Sequence, residues 1–191
     1  PLTGYMSNLR IVKGQALYTA NFATNVASSA LTTTSQSANA SNVSLLTLQT
    51  NIHYDNTKIL DNSAQDFTVT RTSGTYPGSF SPSGNNKWGV WFSGSTTYIA
   101  PVANAVLAVG TGDFCIEGWV NFATSSGNQD MFACFGASGT GNGWTIYRNG
   151  THIEVYSGAG GNGGFLTSTS SPAAGVWTHF AFVRSGSTLY L

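Results

Sequence analysis

The sequence predicts an all-β protein, a jelly-roll sandwich of two antiparallel sheets. Three observations carry that expectation. Apolar residues recur with period two rather than 3.6. The alternating stretches are short and separated by Gly, Ser and Asn clusters, the punctuation of a sandwich or barrel. Only residues 102–109 have the composition of a helical turn, and that stretch is short.

The elements follow in chain order. Strands are expected at 8–12, 15–19, 44–49, 67–71, 88–92 and 97–100. From Asp113 to Phe122, the residues Phe114, Ile116, Val120 and Phe122 share one face, and Cys115, Glu117 and Trp119 share the other. Both faces carry large apolar groups, so this strand belongs in the middle of a sandwich or an assembly. Further strands are expected at 130–135, 143–147 and 151–156, the last two joined by Asn149-Gly150, a strong hairpin signal. From Trp177 to Arg184, Phe180 and Phe182 alternate with Ala181 and Val183. Ser185-Gly186-Ser187 then turns the chain back into Thr188-Leu189-Tyr190-Leu191. Residues 24–42 are almost wholly Ala, Ser, Thr, Asn and Gln, the composition of an exposed linker. The glycine-rich stretch 157–164 reads as a flexible loop or a very tight backbone site.

Charge excludes several functions. Only 7% of the 191 residues are charged, seven acidic against seven basic, where about 25% is usual. Seven scattered cations make no basic stripe for a nucleic acid. No apolar run is long enough to span a bilayer. A content of 41% apolar and 13% aromatic residues argues against a disordered tail. No basic segment followed by an apolar one opens the chain. Its start at Pro1 suggests a processed or partial chain. Cys115 and Cys134 lie in strand-like apolar stretches and read as buried thiols rather than a disulfide or a zinc site.

Several segments resemble a known family. GTGDFCIEGWV at 110–120 resembles the "GtgdFtiEgWv" strand of laminin-G-like domains, in the concanavalin A-like lectin/glucanase superfamily. SLLTLQ at 44–49, DNS at 61–63 and FTVT at 67–70 resemble that domain's opening strands, and WTHFAFVR at 177–184 resembles its "WtHvAfvR" strand. GYMSNLRIVKG at 4–14 with ALY at 16–18 is similar to the strand that closes such a domain. The version is similar to tandem repeats in structural proteins of tailed bacteriophages, notably of marine and cyanobacterial hosts. The closing motif stands first, which allows two organisations. Residues 1–23 end a preceding repeat, 24–42 link it, and 43–191 form a C-terminally incomplete sandwich; or 1–23 close this same sandwich as a circular permutation. Composition of the linker favours the first. Alone, 1–23 are too few to bury a core.

The resemblance implies a virion protein whose partners are other virion proteins, further copies of itself and host-surface polysaccharide, with no cofactor. Two roles follow, a tail-fibre adhesin or a purely structural decoration module. Calcium, which relatives bind with hard oxygen ligands, is not favoured, because WFSGSTTY at 91–98 lacks acidic residues; only the loop 125–130 offers oxygens. Glycan binding needs aromatic faces and amide or hydroxyl groups. Trp144, Tyr147 and Tyr156 flank the glycine-rich loop, Trp88 and Trp91 follow Asn85-Asn86-Lys87, and Asn128 lies in the 125–130 loop. Trp88, Asn128, Trp144, Tyr147 and Tyr156 are the five candidate sugar contacts.

Catalysis has little material. A glycosidase needs two carboxyl groups about 5–9.5 Å apart. Asp113 and Glu117 share a strand face but stand roughly 13 Å apart. The only other pairing is Glu117 with Glu154, across the sheet. The simpler expectation makes Glu117 a polar anchor bonded to a backbone amide or Arg184. His53, His152 and His179 form no triad with a nucleophile elbow, and His179 reads as a half-buried strand residue.

Overall fold

A computed structural model describes residues 1–20, 30–49, 59–84, 88–94, 96–134, 143–157 and 164–191. Thirteen strands are described: β1 Thr3–Lys13, β2 Val43–Thr47, β3 Val69–Arg71, β4 Thr75–Gly78, β5 Gly89–Ser93, β6 Ile99–Pro101 and β7 Phe114–Phe122. They continue as β8 Asn128–Cys134, β9 Trp144–Asn149, β10 His152–Ser157, β11 Gly164–Thr167, β12 Trp177–Ser185 and β13 Thr188–Tyr190. A seven-stranded antiparallel sheet runs β13-β12-β7-β1-β5-β4, with β2 also paired to β1. A second sheet runs β11-β10-β9-β8, and β3 pairs with β6 alone. The all-β sandwich is therefore the observed architecture.

The two faces read from β7 are the two faces of the main sheet. Phe114, Ile116, Val120 and Phe122 join Phe180 and Phe182 of β12 and Met6, Leu9 and Ile11 of β1 against Ile146, Ile153 and Val155 of the small sheet. Cys115, Ala181, Val183 and Val12 pack on the opposite face against Tyr18, Leu31, Ala38 and Val43. Burial on both sides explains why these strands alternate large apolar residues with other apolar ones rather than with polar ones.

Both expected hairpins form. Asn149-Gly150 joins β9 to β10 with Gly150 at φ 60°, and Gly186 at φ 57° turns β12 into β13. The helical turn expected within 102–109 is a 3-10 turn at Ala105–Leu107, and two that were not expected lie at Ser35–Ser37 and Ala40–Asn42. Two strands escape the sequence reading, β4, whose Pro77 argues against a strand, and β11, hidden beside glycines. Residues 15–19 are irregular rather than a strand. Their apolar side chains are there to cover the main sheet, with Tyr18 only 5% exposed. Of 157–164, Ser157 ends β10 and Gly164 begins β11; 158–163 lie outside the described residues.

In this structure β1 runs inside the main sheet, antiparallel to β7, β5 and β2. Of 24–42, residues 30–42 are described. Leu31 and Ala38 are buried, and the Leu31 amide donates to Asn8 Oδ1 at 2.9 Å. A bulge in β1 makes this possible. Asn8 adopts φ 54°, and the pairing with β7 slips between Ser7 and Arg10. The extra residue moves Leu9 and Ile11 onto the face that Met6 occupies and sets Arg10 opposite Glu117.

Candidate functional site

The structure offers three places with chemistry, two on one face of the main sheet and one on the small sheet. The first is buried on the main sheet beneath residues 15–42. Glu117 is fully buried and accepts hydrogen bonds from Arg10 Nε at 2.9 Å and Nη2 at 2.5 Å, and from the Tyr18 hydroxyl at 2.7 Å. His179 Nε2 stands 3.3 Å from its second oxygen. Arg10 also donates to Thr32 O and Ser35 O. The anchor expected at Glu117 is real, but its partner is Arg10 rather than Arg184, which instead donates to Gly186 O. Burial pushes the Glu117 carboxyl up, yet the His179 hydrogen bond, the Arg10 charge and the Tyr18 hydroxyl outweigh it and hold the group below its ordinary range. Burial and the neighbouring carboxylate push Tyr18 and Cys115 the other way, well up. The Arg10 and Glu117 side chains at its centre have no exposed surface.

The second place is the outer face of the small sheet. Tyr147 and Tyr156 stand edge to face with ring centroids 6.2 Å apart. The Tyr147 hydroxyl donates to Glu154 Oε2 at 2.8 Å, and Asn149 Nδ2 donates to Oε1 at 3.1 Å. Burial, then the hydrogen bond and charge of Glu154, push the Tyr147 phenol up to about 12. Asn128, exposed, faces Asn149 across β8–β9. Three of the five candidate sugar contacts therefore share this face. Trp144 does not. It points between the sheets, stacked on Phe132 at 5.4 Å and edge-on to Phe182 at 5.5 Å. Trp88 belongs to the other sheet, where its carbonyl accepts from the Ser7 hydroxyl at 2.7 Å.

Of the third place the sequence pointed only to Trp91, not to the row it belongs to. Strand register lines up Tyr76, Trp91, Tyr5, Asn121 and Trp177 side by side across β4, β5, β1, β7 and β12. At about 4.8 Å per strand the row is about 19 Å long. Tyr5 lies 4.9 Å from the Trp91 ring and 4.9 Å from Phe80, which in turn lies 5.3 Å from Trp177. Tyr76 is 58% and Phe80 47% exposed, so the row meets solvent. No Asp, Glu, Lys or Arg stands in it. Gly89 lets Phe80 settle there, because a Cβ on Gly89 would come within 2.5 Å of the Phe80 carbonyl oxygen. The polar member is buried: Asn121 is 4% exposed, and its Nδ2, like Trp177 Nε1, has no hydrogen-bond partner among the described residues.

With this geometry in view, comparison with known families is decisive about kinship. Residues 92–191, about half the chain, match the laminin-G model of the concanavalin A-like lectin/glucanases superfamily. The chain belongs to the concanavalin A-like lectin/glucanases superfamily. No curated protein and no solved structure matches it. The matched region holds β6 to β13 and therefore Trp177 and Asn121, whereas Tyr5, Tyr76 and Trp91 lie before it.

Superfamily membership makes two chemistries worth testing on the residues. Glucanase action needs a carboxylate pair. Here Glu117 faces the covered side of the main sheet and Glu154 the outer side of the small sheet, each already bonded. The Glu117–Glu154 pairing does not form. Calcium would need oxygens free to turn to a cation. In the 125–130 loop region Thr124 O accepts from the Arg148 guanidinium at 2.9 Å, and Thr124 O and Ser126 O lie within reach of Gln129 Nε2. Asp130 faces the Pro1 amino group at 3.3 Å. That arrangement does not fit a cation, and the described residues hold no cluster of three or more His, Cys, Asp or Glu. Both thiols are free, Cys115 buried and Cys134 half-buried.

Proposed function

We propose that this chain is a non-enzymatic surface module of a tailed-phage virion, a tail-fibre or particle-surface part that holds host-surface polysaccharide on its aromatic row. One observation carries the reading: five side chains in register, four of them aromatic, form an uncharged row that meets solvent at Tyr76 and at Phe80 beside it. Sugars are held by rings stacking on their C–H patches, and the strand spacing is of the order of one pyranose. The likeness of 4–18 and 110–120 to tandem phage repeats supports the virion setting. The clamped Glu117 and remote Glu154 support a binding rather than a cleaving role.

The test is binding to a glycan array and to soluble polysaccharide in affinity gels, wild type against Trp91→Ala. A sugar face covering about 50 Å² of ring contributes about 1.3 kcal/mol, so the variant is expected to bind about tenfold more weakly. With no charge in the row, a tenfold rise in salt is expected to change affinity little. Equal binding by both proteins, or none by either, sinks the reading.

A second reading, assembly without glycan, is favoured by a different observation. An apolar cavity of about 830 Å³, lined by Leu2, Met6, Leu9, Phe92, Ile99 and Met131, opens beside strand β8, which ends its sheet. A second copy packed there would make the chain an oligomer. Light scattering of the purified protein separates the two: a monomer that binds polysaccharide leaves only the first.

A further inference from the structure

Resting on the assembly reading of the cavity beside β8, we infer that this cavity is a slot for one extended strand donated by a second polypeptide, apolar at alternate positions. Consecutive residues line it, 98–101, which hold β6, and 130–134 of β8. A sheet face presents only every second residue, so these two strands turn their edges to the cavity. β1 instead contributes Met6, Leu9 and Ile11, which share one face and make an apolar wall. Among the described strands β8 pairs only with β9, β6 pairs only with β3, and no ladder joins β6 to β8. Two sheet edges thus end at one cavity.

Main-chain groups are what these edges have left to offer. Tyr98 O accepts from the Thr72 amide and the Val102 amide donates to Thr68 O, so residues 98, 100 and 102 bond towards β3. By alternation, the amide and carbonyl of Ile99 and the carbonyl of Pro101 point away from β3. Thr47 and Thr97, buried polar side chains of the wall, already donate to Leu60 O and Gly94 O. A loose aliphatic molecule would cover the apolar wall and leave the edges unpaired, whereas a strand serves both. The room fits as well. Strands stand about 4.8 Å apart and stacked sheets about 10 Å, so about five residues rising about 3.4 Å each fill roughly 800 Å³. The cavity measures about 830 Å³.

The experiment titrates the intact chain with an acetylated, amidated heptapeptide in which isoleucine and valine alternate with threonine. Its binding should shield Cys134, which lines the slot, from alkylation, while Cys115 is buried throughout. The same peptide N-methylated at alternate residues keeps its side chains but loses the donors that face one edge. It should bind at least about tenfold more weakly. Ala133→Lys sets a charge at an exposed position of the β8 edge, and should abolish peptide binding while leaving the melting temperature unchanged. Equal binding of the two peptides, or peptide binding that survives Ala133→Lys, overturns the strand assignment. Shielding of Cys134 by laurate but not by the peptide also overturns it, and gives the slot to an aliphatic chain. Light scattering keeps the strand assignment apart from the assembly reading. A wild-type oligomer that Ala133→Lys dissociates supports the strand. An oligomer that persists in Ala133→Lys, with no peptide bound, overturns the strand and leaves assembly standing. A monomeric wild type that binds no peptide removes both.

Discussion

Replacing Glu117 by Gln should unfold this protein far more easily than any surface change. The carboxylate is fully buried and accepts from Arg10, Tyr18 and His179. Gln keeps the volume but removes the charge, leaving the buried Arg10 guanidinium facing only the neutral oxygens of Thr32 and Ser35. Breaking a buried pair on one side costs about 3–5 kcal/mol. A domain of ordinary stability holds about 5–15 kcal/mol, so the loss is at least about a fifth of it. With a urea slope of about 2 kcal/mol per molar, the unfolding midpoint should fall by about 1.5–2.5 M, read from tryptophan fluorescence. A paired control isolates the cause. Arg10→Met with Glu117→Leu removes both charges and should recover part of the loss. Recovery stays incomplete, because Tyr18 loses its acceptor and the 32 and 35 carbonyls lose their donor. A midpoint shift below about 0.5 M for Glu117→Gln alone would refute the view that this cluster fastens residues 30–42 to the sheet.

Two further outcomes follow from the same geometry. Because the folded Glu117 carboxyl is held below its ordinary value, the stability it contributes is complete above about pH 4.3 and is lost as pH falls through the lower folded value. Urea midpoints should therefore hold from neutrality to about pH 5 and then decline, more steeply in wild type than in Glu117→Gln; identical acid profiles would contradict the assignment. Trp144→Ala should lower stability by about 2 kcal/mol, less than full burial would imply, since the ring is wedged between Phe132 and Phe182 but half exposed. Its glycan affinity should stay within about twofold of wild type, and a larger drop would return Trp144 to the sugar contacts.

What the sequence could and could not show divides along the strand. Properties of a single strand were legible. The two faces of β7, the β12 alternation and the Asn149-Gly150 turn follow from period two and turn chemistry. Properties of register were not. Tyr5, Tyr76, Trp91, Asn121 and Trp177 are dispersed over 173 positions, and only pairing between strands places them in one line. The motifs at 4–14 and 177–184 contain two of them, but a motif does not say which neighbour stands opposite. The bulge at Asn8 hides another step. Strict alternation through β1 would set Met6 and Leu9 on opposite faces, and the αL residue brings them together. The role of 30–42 is hidden for a related reason. Its polar composition says nothing of the backbone oxygens of Thr32 and Ser35, which serve a buried arginine.

Scarcity of charge gains its meaning from where the charges went. Arg10 and Glu117 are consumed inside the sheet cover, and Arg148 is buried against the Phe122 ring at 4.8 Å with its guanidinium on backbone carbonyls. Glu154 is engaged by Tyr147 and Asn149. With so few ionic groups, and several spent on internal hydrogen bonds, the aromatic row on β4, β5, β1, β7 and β12 carries no ionic side chain. Whatever meets that row would therefore meet ring surface rather than charge, and the strength of such a contact would change little with salt.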